Sequence, residues 1–473
     1  MLAAVDSREA YANLLLPRLL RERGITGRDA ALATELAYGT LRGQGTYDAV
    51  LASCSDRPLD KLDAPVWLAL RLGAHQLLAM RVGSHAAVAT SVDLAKDVAG
   101  PRASGYVNAV LRRVATRDLE QWLPLAAPDR DRDPDGYLAV RHSYPRWIIA
   151  AYRAALGSDS GDAELEAALA AGNERPRVTM AVTPGTGDRG GVMPEGAEPT
   201  RWSPYGFTLP GGDPSALVAT GVAAVQDEAS QLTALLLARA EASGAAEGRA
   251  RWLDLCAGPG GKARMLHGLA ALDGARLLAS EIYPHRAQLV ASAVGHSAWQ
   301  ARWAGAEGPF GGNGPGAPAG VIVADGRRPA WRDGGFDRVL VDVPCTGLGA
   351  LRRRPEARWR KTPGDLESLG DLQRSLLRSA LSAARPGGVI AYVTCSPVPA
   401  ETADVVADVA GGLEILDAPA LLPDVPGLRA AADGRFAQFW PHRHGTDAIF
   451  VALLRRAPLL SRVGPTITTR LFG

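Results

Sequence analysis

The chain is poor in cysteine, in net charge and in long apolar runs, and each shortage excludes a class of protein. Its four cysteines, Cys54, Cys256, Cys345 and Cys395, include no Cys-x-x-Cys pair, which argues against a disulfide framework and against a structural zinc site. A formal net charge of +2 does not by itself indicate a nucleic-acid-binding protein, so any basic surface must be local. The sequence has no run of about 18 uncharged apolar residues and no signal-peptide apolar region. We therefore expect a soluble, cytoplasmic protein that holds no metal and spans no membrane.

Apolar residues make up 47% of the 473 positions, which is enough for two or three domains with separate cores. In residues 1–122 they recur at spacings of three and four, which predicts helices at 8–21, 28–38, 46–52 and 64–80. We predict an all-α bundle over this part. Residues 123–135 are rich in proline and aspartate and are predicted to form a linker.

Residues 137–221 predict a small α+β subdomain. The apolar pattern is helical at 137–156 and 165–171, and it alternates as in a strand at 177–182. Residues 184–216 are dense in glycine and proline, which predicts hairpins and loops rather than a core.

Residues 222–457 alternate regularly between strand and helix patterns. Strands are predicted at 252–257, 276–281, 321–325, 336–343 and 388–395, with a closing pair at 413–417 and 448–454. Helices are predicted at 262–271, 284–293 and 364–384. Seven strands with helices on both faces form a doubly wound, Rossmann-like α/β sheet. A long loop at 305–320 and a tail at 458–473 complete the chain.

A glycine-rich turn, residues 256–262, closes the first of these strands and opens a helix, which is the usual place for a nucleotide-like cofactor. A phosphate-binding P-loop is disfavoured, because Cys256 replaces its first glycine and Ala263 replaces its hydroxyl residue. A dinucleotide fingerprint is met only in part, by Gly258 and Gly260. The remaining interpretation is a site for S-adenosylmethionine.

Two acidic residues end the next two predicted strands, where they can contact such a cofactor. Glu281 is placed to accept hydrogen bonds from ribose hydroxyls, and Asp325 to accept one from the adenine amine. Each also has a plain structural alternative, since a carboxylate after a strand often caps a turn or a helix.

Cys345 and Cys395 lie at strand ends beside polar residues, unlike Cys54 and Cys256, which we interpret as small buried hydrophobes. Methyltransferases of this fold that act on exocyclic amines tend to carry an aromatic residue where Cys345 follows Pro344. Carbon 5 of cytosine, in contrast, becomes nucleophilic only after a soft nucleophile such as a thiolate adds to carbon 6. A second group must then assist loss of the carbon 5 proton and release of the thiol. These arguments predict covalent catalysis without deciding which thiol attacks.

Four segments, residues 254–262, 342–347, 352–356 and 392–396, resemble the RNA 5-methylcytosine methyltransferase family. Residues 30–42, 70–78 and 105–113 resemble the helical RNA-binding fold of the antitermination factor NusB. Together with residues 225–230, nearly the whole chain is similar to the branch of the family that methylates bacterial 16S ribosomal RNA, the RsmB (Sun/Fmu) type. Gly258 and Val343 depart mildly from this pattern, because alanine is common at both positions.

The resemblance implies transfer of a methyl group to carbon 5 of a cytosine in 16S ribosomal RNA through a covalent bond between cysteine and carbon 6. It makes Cys395 the nucleophile and Cys345 the residue for product release, with Asp342 and Lys262 beside the target base. It places S-adenosylmethionine against Cys256, Ala257, Gly258, Pro259, Gly260, Gly261, Lys262, Glu281, Asp325 and Asp342. Two alternatives stay open: the same reaction on transfer RNA, and a non-catalytic RNA-binding or assembly factor.

Local positive charge follows Cys345, which predicts RNA contact beside the active site. The residues concerned are Arg352, Arg353, Arg354, Arg358, Trp359, Arg360 and Lys361. The plain alternative is a solvated charged face. We expect a monomer that binds RNA.

Overall fold

The computed structural model describes residues 1–243, 250–295 and 320–457. The predicted loop at 305–320 lies outside these residues apart from Gly320, and the predicted tail at 458–473 lies outside them entirely.

The N-terminal part is helical, as predicted. Its helices are α1 (Leu2–Asp6), α2 (Ala12–Glu22), α3 (Gly27–Arg42), α4 (Gln44–Cys54), α5 (Ala64–Leu78), α6 (Ser84–Ala99), α7 (Pro101–Val114) and α8 (Leu119–Ala126). Leu51, Leu70 and Leu111 are fully buried at the centre of the bundle. The helix predicted at 8–21 begins only at Ala12, because Arg8 adopts a left-handed φ of 63° that interrupts it.

The linker predicted at residues 123–135 is partly wrong, since α8 continues to Ala126. Asp118 and Gln121 form a capping box at the start of α8, and Trp122 and Leu123 are buried. Burial of these two side chains outweighs the presence of Pro124 within the helix.

The single helix predicted at 137–156 is also wrong. The structure has α9 (Pro134–His142) and α10 (Arg146–Leu156), followed by α11 (Asp162–Ala171). Ser143 takes a left-handed φ of 59°, and Pro145 disfavours a helical conformation in the residue before it. The chain therefore turns between α9 and α10.

A small antiparallel sheet follows, in the order β2-β3-β1-β4. Its elements in chain order are β1 (Thr179–Val182), α12 (Arg189–Val192), β2 (Glu198–Pro199), β3 (Gly206–Thr208), α13 (Ser215–Ala219) and β4 (Ala223–Val225). Phe207 and Leu209 are buried together with Met180 and Val182. The prediction that residues 184–216 contribute no core is therefore wrong for this strand.

The C-terminal part has the predicted doubly wound sheet, with eight strands rather than seven: the order is β10-β12-β9-β8-β5-β6-β7, and the unpredicted β11 pairs with β12. Its strands are β5 (Arg251–Asp254), β6 (Arg276–Glu281), β7 (Gly320–Val323), β8 (Phe336–Asp342), β9 (Ala384–Thr394), β10 (Glu414–Leu416), β11 (Ala437–Gln438) and β12 (Phe450–Arg455). Its helices are α14 (Glu228–Arg239), α15 (Gly261–Leu272), α16 (Pro284–Ala293), α17 (Ala357–Arg360), α18 (Pro363–Ala383), α19 (Ala403–Val409) and α20 (Pro441–His444). Strands β5 to β9 pair in parallel, and β10 and β12 form the predicted antiparallel closing pair.

Helices cover both faces of this sheet, which explains its continuous apolar strands. Trp252 packs into the core on one face and Leu253 into the core on the other. The direction of chain connection reverses between β5 and β8, and in such sheets the crevice at that reversal binds the ligand. Among the described residues, none of the helices has the length and apolar character needed to cross a bilayer.

Candidate active site

The glycine-rich turn runs from the end of β5 into α15 with close backbone packing. Gly260 has a φ of 114°, and a Cβ atom there would lie 2.7 Å from the Cβ atom of Ala293. A Cβ atom on Gly258 would overlap a carboxylate oxygen of Glu281. Glycine is therefore required at position 260, whereas alanine at position 258 would need the Glu281 side chain to shift.

Glu281 and Asp325 have local partners at the ends of their strands. Glu281 is buried and accepts hydrogen bonds from the amides of Gly258 and Tyr283, each at 3.0 Å. Asp325 accepts hydrogen bonds from the Arg327 guanidinium on both carboxylate oxygens. The capping roles considered for these two residues are thus present, and their contact with a cofactor stays a prediction.

A cavity of about 180 Å³ lies beside the turn, at the carboxyl ends of β5 and β8. It brings together most of the predicted cofactor residues, namely Cys256, Ala257, Gly258, Pro259, Gly261, Lys262 and Asp342. Glu281, Asp325 and Gly260 do not line it. The lining also contains residues that the sequence interpretation did not assign to the cofactor, namely Val225, Gln226, Asp227, Ser230, Asp254 and Arg353.

Asp254 is the clearest unassigned polar group in this cavity. It is buried, and neither carboxylate oxygen has a hydrogen-bond partner of good geometry among the described residues. Burial, together with the nearby Asp342 carboxylate, raises the pKa of Asp254 to about 8. A buried carboxyl group without a partner is suited to a ligand that carries a cation. The ammonium group of S-adenosylmethionine is such a cation, so the residues present fit this cofactor.

Cys345 and Cys395 face each other where β8 and β9 end, with their sulfur atoms 3.1 Å apart. The hydrogen bond from Cys345 lowers the pKa of Cys395 against the opposing effect of burial, and the Lys262 ammonium lowers it further. The same hydrogen bond and burial raise the pKa of Cys345 well above its ordinary value. Cys395 is therefore the thiol better suited to act as a thiolate.

Lys262 and Asp342 form an ion pair beside the thiols, with Nζ 2.7 Å from Oδ2. Burial alone would lower the pKa of Lys262, but the Asp342 carboxylate and its hydrogen bond raise it. Cys395 contributes to the same increase, so the ammonium lies within electrostatic range of this sulfur. The pair offers a donor and an acceptor side by side at the cavity wall.

Glu401, which the sequence interpretation missed, holds the loop that carries Cys345. The amide and hydroxyl of Thr346 donate to its two carboxylate oxygens at 2.7 and 2.5 Å. Gln373 donates to Glu401 at 3.2 Å and to the carbonyl of Pro344 at 2.9 Å. Because Glu401 is fully buried, these bonds fix the backbone on both sides of Cys345.

Comparison with known proteins agrees with this arrangement. Residues 315–455 match the family model of the 16S rRNA methyltransferase RsmB/F, and residues 1–116 match that of the NusB family. A methyltransferase of Mycobacterium tuberculosis is 48% identical over 462 residues, which cover 96% of this chain and 94% of its own length. Ribosomal RNA small subunit methyltransferase B of Pseudomonas putida is 32% identical over 423 residues, with 86% of each chain covered.

The chain belongs to the RsmB/F family of RNA methyltransferases.

Solved structures support the fold of this RsmB/F methyltransferase. The crystal structure of PH0851 has a TM-score of 0.70 with 21% sequence identity, and the match covers 93% of each chain. The structure of NSun6 from Pyrococcus horikoshii with SFG has a TM-score of 0.52 with 16% identity and covers 67% of this chain and 99% of that chain. At these identities the likeness concerns the fold alone.

The basic run of the RsmB/F methyltransferase is largely a structural element, so the prediction of RNA contact is wrong for Arg352 and Arg358. Both are buried. Arg358 lies 4.0 Å from the ring centre of Tyr144 and donates to the carbonyl of Ser143 at 3.0 Å and to the side chain of Asn173 at 2.8 Å. Arg352 donates to the carbonyl of Gly445 at 2.8 Å.

Other members of the run contact the N-terminal helices. Arg354 and Arg360 each lie 4.7 Å from the ring centre of Tyr11, and Arg360 donates to the carbonyls of Val5 and Ala10. A Cβ atom at Gly45 would meet the ring of Trp359. Lys361 pairs with Asp365 at 3.8 Å. The run therefore joins the NusB-like domain to the catalytic domain.

Replacing Asp254 with asparagine is expected to change both stability and cofactor affinity. The native carboxyl binds its proton up to about pH 8, whereas an unfolded aspartate loses it near pH 4. The native state thus binds more protons in this window, and its free energy of unfolding falls as pH rises, by up to about 1.4 kcal/mol per pH unit. Asparagine cannot ionise, so D254N should lack this loss.

Urea unfolding of wild type and D254N at pH 5 and pH 8 measures the difference, with all other titrating groups common to both proteins. Calorimetry with S-adenosylhomocysteine is expected to give an affinity at least about tenfold lower for D254N, because a charge-assisted hydrogen bond is lost. Equal pH slopes and equal affinities in the two proteins would contradict this assignment.

Proposed function

We propose that this RNA methyltransferase transfers a methyl group from S-adenosylmethionine to carbon 5 of a cytosine in 16S ribosomal RNA. The observation that carries the proposal is the pair of thiols, with sulfur atoms 3.1 Å apart, within electrostatic range of Lys262 and Asp342, which line the cavity at the glycine-rich turn. Methylation of an oxygen or of an exocyclic amine requires no such pair, whereas methylation of carbon 5 requires a nucleophile and a group for release. The names of the relatives support ribosomal RNA as the substrate.

The cofactor is held by the turn at residues 256–262 and by the unpartnered carboxyl of Asp254. When bound there, S-adenosylmethionine supplies the methyl group. Glu281 and Asp325 at the ends of the next strands are proposed to contact its adenosine part, after release of their present partners.

Cys395 begins the reaction as a thiolate. Its sulfur forms a bond to carbon 6 of the cytosine, and the electrons of the 5,6 double bond move toward the N3 and O2 side of the ring. The Lys262 ammonium donates a hydrogen bond to that side, and Asp342 accepts one from the exocyclic amine. Carbon 5 then has the enamine character needed to take up the methyl group.

Cys345 acts in the release of the product. After methylation the carbon 5 proton is lost to a water molecule, the electrons of that C–H bond re-form the 5,6 double bond, and the bond between sulfur and carbon 6 breaks with its electrons returning to Cys395. Cys345 holds its proton, because the hydrogen bond and burial raise its pKa, and it donates an S–H hydrogen bond to the departing sulfur. A stabilised thiolate leaves faster.

The target nucleotide has to leave its stack to reach Cys395, which costs least in a loop or a locally open helix. We propose that the NusB-like domain, fixed to the catalytic domain through residues 352–361, positions the RNA for this step.

Bisulfite sequencing of RNA from cells with and without this chain tests the proposal. We expect one 5-methylcytosine of 16S ribosomal RNA to disappear and to return with the wild-type chain, but not with Cys395→Ala. Loss of a site in transfer RNA would assign the enzyme to that substrate. No loss in either RNA would favour a non-catalytic role in RNA binding or assembly.

A further inference from the structure

Arg353 lines the active-site cavity together with residues of the glycine-rich turn. It is the member of the basic run that reaches this cavity, since Arg352 is buried and Arg354 lies over the ring of Tyr11. Its side chain is 46% exposed, in contrast to the buried Arg352 and Arg358.

A buried charge network holds Arg353 in place. Its Nη2 atom donates to Asp447, which is fully buried and whose amide donates to Asp227 at 3.2 Å. Arg352 lies within 3.5 Å of both carboxylates. Two guanidiniums thus balance two carboxylates, and the network needs no further anion for its own neutrality.

The remaining donors of Arg353 are available on the cavity side. Nε and Nη1 have no hydrogen-bond partner within the ranges 1–243, 250–295 and 320–457. Burial alone would lower the pKa of Arg353, but the Asp447 and Asp227 carboxylates raise it, so the guanidinium stays charged. A held arginine with two free donors is well suited to a phosphate group.

The cofactor and the RNA each bring an anion to this cavity: the carboxylate of the methionine part and the phosphates of the target nucleotide. The amino-terminal end of α15, which begins at Gly261, presents backbone amides on the side of the glycine-rich turn and is suited to the cofactor carboxylate. Arg353 lines the same cavity and follows the turn at Gly349, whose amide donates to the carbonyl of Cys395 at 2.8 Å, so it is tied to the segment that carries the nucleophile. The position of Arg353 therefore favours a phosphate of the RNA over the carboxylate of the cofactor as its ligand.

We propose that Arg353 binds a phosphate that flanks the target cytidine and so fixes the flipped nucleotide with carbon 6 against Cys395. This inference rests on the proposed function, because it requires an RNA substrate in the cavity. It gives Arg353 a direct substrate contact, in contrast to the structural roles of its neighbours.

The test pairs a protein change with a change in the RNA. RNA fragments centred on the cytosine mapped by bisulfite sequencing are made with an uncharged methylphosphonate in place of the 5′ or the 3′ flanking phosphate. One of the two is expected to lower kcat/KM of the wild type by about 10- to 100-fold, the usual effect of losing a charged hydrogen bond. Arg353→Ala should have a lowered kcat/KM on the natural RNA, and the same methylphosphonate should lower its kcat/KM by less than about threefold further.

Controls separate the possible failures. Arg378→Ala removes an exposed arginine of α18 and should keep the full methylphosphonate penalty. If Arg353→Ala does not fold, Arg353→Lys is used in its place. It keeps the charge and should show part of the loss in kcat/KM that the methylphosphonate causes in the wild type. An equal penalty in wild type and Arg353→Ala overturns the inference, as does weaker binding of S-adenosylhomocysteine by Arg353→Ala with the penalty unchanged. If the wild type fails to methylate the natural RNA, the proposed function itself is wrong.

Discussion

Replacing Cys395 with alanine is expected to abolish methyl transfer, with a loss in rate of about 10⁴-fold or more, because the raised pKa of Cys345 keeps that thiol protonated and unsuited to add to carbon 6. Fold and cofactor affinity should be retained, since Ala fits the space of the thiol. Single-turnover transfer of labelled methyl groups to 16S ribosomal RNA measures the effect. Cys54→Ala is the matched control, because Cys54 is buried in the helical bundle away from the cavity and its loss should leave the rate unchanged.

Replacing Cys345 with alanine should have a different outcome. Attack by Cys395 remains possible, but release is slowed because the hydrogen bond to the departing sulfur is lost. A covalent protein–RNA complex is therefore expected to accumulate and to survive denaturing electrophoresis. A complex formed by Cys395→Ala and absent from Cys345→Ala would reverse the assigned roles.

Replacing Arg358 with methionine is expected to lower the free energy of unfolding by about 2–4 kcal/mol. The sequence alone predicted RNA contact for this residue instead. Its guanidinium is fully buried and satisfies the carbonyl of Ser143 and the side chain of Asn173, which methionine would leave unpaired. Urea unfolding followed by tryptophan fluorescence measures the change.

The control for Arg358 is Arg378→Ala, which should change stability by less than about 0.5 kcal/mol. Unchanged stability of Arg358→Met together with weaker RNA binding would show that Arg358 serves RNA after all.

The sheet and the pairing of the two thiols were predictable from the sequence for one reason. Parallel strands buried on both faces are continuous apolar runs, and residues that follow neighbouring strands meet at one edge. Asp342 of β8 pairs with Val393 of β9, so the loops that carry Cys345 and Cys395 had to lie side by side. The roles proposed for the two thiols could not be predicted in this way, because they depend on the hydrogen bond between the two sulfur atoms and on the Lys262 ammonium.

The basic run could not be interpreted correctly from the sequence, because a cluster of arginines has the same pattern whether it is exposed or buried. The contacts of Arg358 come from residues about 185 to 216 positions earlier in the chain, which no local pattern specifies. Asp254 and Glu401 were missed for a similar reason. Asp254 is the last residue of β5 and Glu401 the last of a short helical turn; only tertiary packing leaves the first without a hydrogen-bond partner and gives the second its three hydrogen bonds from Thr346 and Gln373.

Helix ends were mispredicted where backbone conformation decided them. Arg8 and Ser143 adopt left-handed φ angles, although neither residue is a glycine. Side-chain periodicity continues across both positions, although Pro145 was a local signal for the turn at Ser143.

Release of tritium from RNA labelled at carbon 5 of cytidine tests the central claim most directly. If the enzyme methylates carbon 5, each methyl group transferred must release one tritium atom, and Cys395→Ala must release none. Methyl transfer without tritium release would show that another atom of the RNA accepts the methyl group, and the covalent mechanism proposed for Cys395 would then be wrong.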